Sequence, residues 1–452
     1  MKVHFIAIGG SAMHNLAIAL HDMGFEVTGS DDEFFEPSKT RLKEKGLLPE
    51  KEGWDVNKIT QDLDAIILGM HAREGNPELD LALALGIKVY SYPEYIYEQS
   101  KNKKRVVIAG SHGKTTITAM VMHVLKFCEV EYDYMVGAQL DGFDTMVKLT
   151  SDAPLIILEG DEYLASAIDK RPKFHLYRAD IALLSGISWD HINVFPTFET
   201  YLTQFRLYIS ELSSNSPVVY NELDAEVKNI CEHEKHPIKL YPYKMPSHRI
   251  INGVTYLNTP DGPIRLRIFG DHNLLNLEGA RLICNLCGVK DRDFYNSIGF
   301  FNGAAKRLQL ISQNEHTAVY KDFAHSPSKL SATTTAVKKQ YRNRKLIACM
   351  ELHTFSSLNK NFLKEYRNSM ADADEAIIYF NPHTIEHKKL PPISSEEIME
   401  SFGGNNLKVF TDSKLLNEHL TSMDWKDKNL LLMSSGSFDG MNMDELAAEI
   451  IG

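Results

Sequence analysis

Short apolar runs alternate with longer amphipathic stretches along most of this chain, and their two periods separate strands from helices. Near the start, residues 2–8 read as a strand, Gly9 and Gly10 as a turn, and residues 11–23 as a helix. A second strand at 25–28 runs into Gly29, Ser30 and Asp31. Residues 65–68 and 88–90 supply further strands, with a helical pattern at 77–85 between them. Such alternation predicts a parallel, doubly wound sheet. The polar, basic stretch at 100–104 predicts a first linker.

A second series starts with a strand at 105–109, a glycine-containing loop and a helix at 115–126. Strands at 155–158 and 181–184 and a helix at 197–212 follow. Residues 240–268 carry the short alternating runs of β-hairpins, and 273–287 is helical again. After a boundary near Arg307 and Leu308, strands at 318–321, 345–350, 375–380, 408–410 and 429–433 alternate with helical stretches. The expectation is an α/β protein of three domains, 1–104, 105–308 and 309–452. At 452 residues the chain is too long for one ordinary core, which agrees.

Composition narrows the function class. Hydrophobic residues at 43% and charged residues at 24% are those of a globular enzyme. A net charge of −11 argues against nucleic-acid or anionic-membrane partners, which need positive surface. No apolar stretch approaches the length of a membrane span, and the run at 3–8 is too short for a signal segment, so a cytoplasmic protein is expected. The five cysteines are scattered. Cys284 and Cys287 form a CxxC, but inside an apolar helical pattern with no second pair, which reads as buried core.

The loop Gly110-Ser111-His112-Gly113-Lys114-Thr115-Thr116 sits between a strand and a helix N-terminus, where free N–H groups cradle phosphate. Lysine there neutralises phosphates and a hydroxyl binds Mg²⁺. The loop lacks the first glycine of GxxxxGK[ST], which would fall at Ile108. Glu159-Gly160-Asp161-Glu162 follows the strand at 155–158, placing carboxylate where a metal is held opposite a phosphate loop. Read bare, it is also an ordinary acidic turn. Asp190-His191, the segment Gly270 to Asn276 with Asn273 and Asn276 at helical spacing, Lys306-Arg307, and Asp322 to Pro327 complete the polar clusters. Each has a structural alternative, a helix cap for the asparagines and a surface basic pair for Lys306-Arg307.

The form GxHGKTT, with these clusters in this order, resembles the Mur ligase family, whose members build the peptide stem of cell-wall precursors. The resemblance runs along the whole chain. It implies a Rossmann-like N-terminal domain, a P-loop ATPase-like central domain and a Rossmann-like C-terminal domain. It also implies ATP and Mg²⁺, with Thr115, Glu159 and His191 as metal ligands. Lys114, Glu159, His191, Arg307 and Asp322 become the expected catalytic set. Gly110 to Thr116, Asn273, Asn276 and Arg307 become the nucleotide site. Lys321 and Ser326 depart from the family's D-[DY]-x-x-H-H-P, so no role rests on a histidine pair.

Gly9, Gly10, Ser11, Ser30, Asp31 and His71 match the family's first domain, which holds the diphosphate of a UDP-sugar. G-x-G-x-x-G is absent, and an NAD-dependent oxidoreductase would leave Lys114, Glu159 and Asp322 without a purpose. A nucleotide-regulated scaffold is opposed by the same residues.

Several family members carry a carbamylated lysine about fifteen residues after the metal histidine. Residues 192–227 contain no lysine, which places the chain with the branch that acts on UDP-N-acetylmuramate. Within that branch, one reaction adds L-alanine and the other reattaches the recycled tripeptide L-alanyl-γ-D-glutamyl-meso-diaminopimelate. Glu162-Tyr163, residues 169–174 and residues 433–440 resemble the tripeptide-adding members, as does Glu351, whereas His353 departs toward the alanine-adding ones. The expectation is a tripeptide ligase, monomeric or weakly dimeric, with alanine addition as the alternative.

Overall fold

The computed structural model describes residues 1–452 except 71, 74, 141, 305, 306, 404 and 405. Two compact units emerge. One comprises Met1–Ile187, Pro196–Tyr243 and Gly279–Asp291; the other comprises Ser188–Phe195, Lys244–Glu278 and Arg292–Gly452.

The first unit holds two sheets. The smaller has the order β2 (Glu26–Ser30), β1 (Lys2–Ile6), β3 (Ala65–Leu68), β4 (Val89–Ser91), all parallel. The larger runs β11 (Lys239–Tyr243), β10 (Pro217–Asn221), β9 (Ile181–Leu184), β5 (Lys104–Ala109), β8 (Leu155–Gly160), β6 (Asp133–Met135), β7 (Val147–Lys148). Only β7 is antiparallel in it. Strands β5, β8 and β9 are near-continuous apolar runs because helices cover both faces of a parallel sheet.

The second unit holds a small antiparallel sheet, β12 (His248–Ile251), β13 (Val254–Thr259) and β14 (Gly262–Arg265). Its main sheet runs β15 (Gln309–Gln313), β16 (Ala318–Asp322), β20 (Lys428–Met433), β17 (Lys345–Glu351), β18 (Glu375–Tyr379), β19 (Leu407–Phe410). It is parallel except for β15, and a core lies on each face. The expected α/β architecture of helix-covered parallel sheets is what forms. Among the described residues no helix is long and apolar enough to cross a membrane.

Two local readings change. The stretch at 100–104 is an exposed turn at Lys101 and Asn102, but it is anchored: Ser100 ends the helix Tyr92–Ser100, and buried Lys103 bonds Asp133 and the carbonyl of Thr150, both at 2.6 Å. That helix is itself unread in the apolar pattern, although Ser91 and Glu94 announce it as a capping box. Likewise 240–268 is not all hairpin, since β11 joins the parallel sheet and only β12 to β14 are hairpins.

Candidate active site

In the first unit, the chain leaves β1 through Ala7 and Ile8 into Gly9, whose N–H donates to Asp31 Oδ2 at 2.6 Å. A Cβ on Gly9 would lie 2.8 Å from that same oxygen, so only glycine permits the contact. Burial pushes the Asp31 carboxyl up to about 6, against the pull of the Gly9 N–H. Gly10 then opens the helix Ser11–Asp22, and no side chain caps it, which leaves first-turn donors for a ligand. The hydroxyl of Ser30 is buried nearby in sequence without a hydrogen-bond partner among the described residues. Asp32, Trp54, Met70 and Arg73 line a cavity of about 630 Å³. Trp54 and Arg73 are site candidates that sequence reasoning missed as individuals. His71 and Lys306 lie outside the described residues.

Asn15 and Arg41 tie this glycine turn's helix region to the central part of the same unit. Asn15 Oδ1 accepts from Met146 N at 3.0 Å, and Arg41 donates to Gln139 Oε1 at 3.0 Å.

The loop after β5 is held on three sides. Ser111 N donates to the carbonyl of Gly186, and Ser185 N donates to that of Ala109. Ser111 Oγ and Tyr201 OH are 2.8 Å apart, and Tyr201 OH also donates to Glu162 Oε1. Gly110 has φ 128°, and a Cβ there would lie 2.3 Å from Ser185 Oγ. Gly113 leads the helix Lys114–Phe127, again without a side-chain cap.

Lys114 Nζ reaches Glu162 Oε2 at 2.5 Å and the Gly110 carbonyl at 2.6 Å. Burial opposes its charge, but Glu162, Asp161 and Glu159 outweigh burial and hold its pKa above the usual lysine value. Thr115 Oγ1 donates to Glu159 Oε1 at 2.7 Å, and Gly137 N donates to Glu159 Oε2 at 2.8 Å. A hydroxyl and a carboxylate at the ends of the loop and β8 form a hard-oxygen pair suited to Mg²⁺. Asp161 is held low by Lys173 despite burial, at 2.5 Å. Glu162, Lys173 and Tyr201 are functional neighbours that the sequence alone left without roles. Their signal was the acidic run after β8 and an aromatic on the amphipathic helix Phe198–Ser210.

In the second unit, His191 adopts φ 55°, with its N–H bonded to Asp190 Oδ1 at 2.8 Å. Burial works against ionising Asp190, yet Lys329 at 3.6 Å and the two histidines His191 and His325 hold it at about 2. Burial and Lys329 push His325 down to about 4. Its Nδ1 lies 2.8 Å from the Phe323 carbonyl.

Asp322, at the end of β16, accepts from Leu308 N and from Ala324 N at 2.7 Å. Burial raises its pKa, with Arg307 the main opposing charge. Arg307 lies over the Phe323 ring at 4.7 Å. Asp322 thus grips the residue after Arg307 while Phe323 supports the guanidinium. Asn273 and Asn276 are both buried within the helix Asp271–Leu286, and Asn273 Nδ2 donates to the Phe269 carbonyl at 2.9 Å. They are internal helical residues and not caps.

At the ends of β17 and β20, Glu351 is buried and accepts from Ser434 Oγ and from Phe438 N, the latter at 2.8 Å. Two segments whose bonded residues, Glu351 and Ser434, stand 83 positions apart and which pointed to the same branch of ligases therefore form one structural feature.

Three family models match in succession: "Mur ligase family, catalytic domain" over residues 2–104, "Mur ligase middle domain" over 108–284, and "Mur ligase, glutamate ligase domain" over 306–436. The UDP-N-acetylmuramate–L-alanyl-γ-D-glutamyl-meso-2,6-diaminoheptandioate ligase of Haemophilus influenzae is 25% identical, with 97% of each chain covered. The UDP-N-acetylmuramate–L-alanine ligase of Carboxydothermus hydrogenoformans is 26% identical over 88% of this chain and 86% of its own. Among solved structures, a murein peptide ligase from Psychrobacter arcticus aligns with TM-score 0.65 at 21% identity, covering 100% of this chain and 99% of its own.

Proposed function

This chain belongs to the Mur ligase family, and we propose that it joins the carboxylate of UDP-N-acetylmuramate to the amine of L-alanyl-γ-D-glutamyl-meso-diaminopimelate. It is an enzyme, a ligase that forms carbon–nitrogen bonds. The choice of tripeptide rests on one observation: buried Glu351 binds the 434–438 loop, uniting the two C-terminal segments that resemble tripeptide-adding members. The Haemophilus relative, similar from end to end, supports the same acceptor. Alanine as acceptor is favoured by His353 and by the Carboxydothermus relative.

In the reaction, a carboxylate oxygen of the muramyl group attacks the γ-phosphorus of ATP and ADP leaves. The amine then attacks the acyl phosphate carbon, loses a proton, and inorganic phosphate departs. Lys114 supplies a cation to the phosphates, and Glu162 keeps that ammonium aimed and charged until nucleotide enters. Uncapped donors behind Gly113 bind phosphate oxygens. Thr115, Glu159 and His191 would hold Mg²⁺, which would supply positive charge to neutralise the phosphoryl oxygens. Arg307 is the second cation on the transferring group, fixed by Phe323 and by Asp322 through Leu308. Gly9, Gly10, Ser11, Ser30, Asp31 and His71 are assigned to the UDP-sugar, and in the same unit Trp54 and Arg73 line a cavity with Asp32. Asn273 and Asn276 are assigned to the nucleotide site. The proposed domains are 1–104 for the UDP-sugar, 105–308 for ATP and 309–452 for the peptide, in a cytoplasmic monomer or weak dimer.

The test is phosphate release by the wild-type chain and Lys114→Ala with ATP, Mg²⁺, UDP-N-acetylmuramate and tripeptide. Release is expected to need every component and to fall at least about 10²-fold in the variant. Normal ligation by the variant overturns the assignment.

A further inference from the structure

A continuous run of hydrogen bonds crosses the first unit, from the glycine turn after β1 to the carboxylate opposite the phosphate loop. His14 and Asn15 begin it, in the opening turns of the helix Ser11–Asp22, and both are buried. His14 Nδ1 lies 2.9 Å from the Gly10 carbonyl, which can only accept, so Nδ1 carries the proton. Nε2 is then the acceptor for Asn15 Nδ2 at 3.0 Å. Burial lowers the pKa of this imidazole and Arg41 adds to the effect, so the neutral ring is the resident form.

Both ends of the Asn15 carboxamide are committed. Its Nδ2 also donates to the Ser11 carbonyl at 2.8 Å, and its Oδ1 accepts from Met146 N at 3.0 Å and from Arg41 Nη1 at 3.3 Å. Turning the amide over would set N–H against N–H at Met146 and Arg41. Beyond Asn15 the path is backbone. The Met146 carbonyl accepts from Val136 N at 3.0 Å, and the next residue, Gly137, donates its N–H to Glu159 Oε2 at 2.8 Å. Glu159 Oε1 takes the Thr115 hydroxyl. A Cβ on Gly137 would lie 3.2 Å from Glu159 Oε1, so this backbone sits directly against the carboxylate. Arg41 adds a parallel bridge, with Nη2 reaching Gln139 Oε1 at 3.0 Å and the Asp144 carbonyl at 3.3 Å.

The Gly10 carbonyl and the Ser11 N–H are the two ends of one planar peptide. An anion taken by that N–H fixes the plane, and with it the carbonyl that holds the His14 ring. A buried network whose donors and acceptors are matched is rigid, so a constraint at one end is felt at the other. We propose that Asn15 is a positioning residue that couples two ligand sites: a nucleotide-sugar diphosphate on the Gly10–Ser11 peptide orders Glu159 for Mg²⁺. This rests on the assignment of the turn to UDP-N-acetylmuramate and of Glu159 to the metal. Each occupant then favours the other by the same factor. Nucleotide and Mg²⁺ are held most tightly when the carboxylate to be activated is in place.

Calorimetry on the full chain tests this with adenylyl imidodiphosphate, a non-hydrolysable ATP analogue, titrated with and without saturating UDP-N-acetylmuramate. In the wild type with Mg²⁺ the sugar nucleotide is expected to tighten analogue binding at least about fivefold, and the reverse titration to give the same factor. With EDTA in place of Mg²⁺ the factor is expected to fall to about one, because the path ends on the metal carboxylate. Asn15→Leu is expected to abolish the coupling in Mg²⁺ while each ligand alone binds within about threefold of its wild-type affinity. His14→Phe, which keeps a ring but neither hydrogen bond, is the second variant and is expected to lose the coupling likewise. A purely structural role would shift single-ligand affinity or melting temperature and leave the factor intact. An undiminished factor in either variant, a factor that survives EDTA, or a wild type that binds both ligands without coupling overturns the proposal alone. Failure of the wild type to bind UDP-N-acetylmuramate overturns the substrate assignment and the coupling with it.

Discussion

Asp31 holds a proton in the fold to about pH 6, against 3.8 for an ordinary aspartate, because it is buried around the Gly9 N–H. The native chain therefore binds more protons than the unfolded chain between about pH 4 and pH 6. Stability from this group is present at the acid end of that window and is lost as pH rises through it. Melting temperature measured against pH for the wild type and Asp31→Asn is expected to differ in slope there, with the wild type falling more steeply. Parallel curves would remove Asp31 from the account. At the proposed metal position, Glu159→Gln retains the shape but loses the charge beside Thr115 Oγ1. Ligation is expected to drop about 10²-fold, with the magnesium concentration for half-maximal rate moved upward. An unchanged magnesium profile contradicts the assigned ligand.

At the scale of elements, the loop from Gly110 to Gly113 depends on what packs behind it. Gly110→Ala forces a Cβ to within 2.3 Å of Ser185 Oγ at a positive φ, so a loss of about 1–3 kcal/mol is expected together with lost nucleotide binding. Thermal unfolding with and without ATP measures both. Tyr201→Phe removes one hydroxyl that serves Ser111 and Glu162 at once. About 1 kcal/mol is expected in nucleotide affinity, a change of severalfold in KM for ATP. The main strands were legible because a parallel sheet covered on both faces needs continuous apolar runs, as in β5, β8 and β9. The edge strands β7 and β15 were not, since half-exposed short segments carry no period, and β6 is buried but only three residues long. The phosphate loop and the acid run after β8 were readable as local strings. The pairing of Lys114 with Glu162 and the meeting of Glu351 with Ser434 join residues 48 and 83 positions apart, and no local pattern encodes them.

For the whole molecule, the family is fixed by three successive matches along the chain, while the acceptor is decided by few residues. Glu351 and the 434–438 loop favour the tripeptide, and His353 leans toward alanine. One measurement addresses the choice directly. The enzyme is given ATP, Mg²⁺, UDP-N-acetylmuramate and equal concentrations of tripeptide and L-alanine, and the products are identified by mass. The account predicts that the UDP-N-acetylmuramyl tripeptide dominates by at least tenfold, a preference of about 1.4 kcal/mol, with one phosphate released per amide. An alanine adduct as the sole product would contradict it.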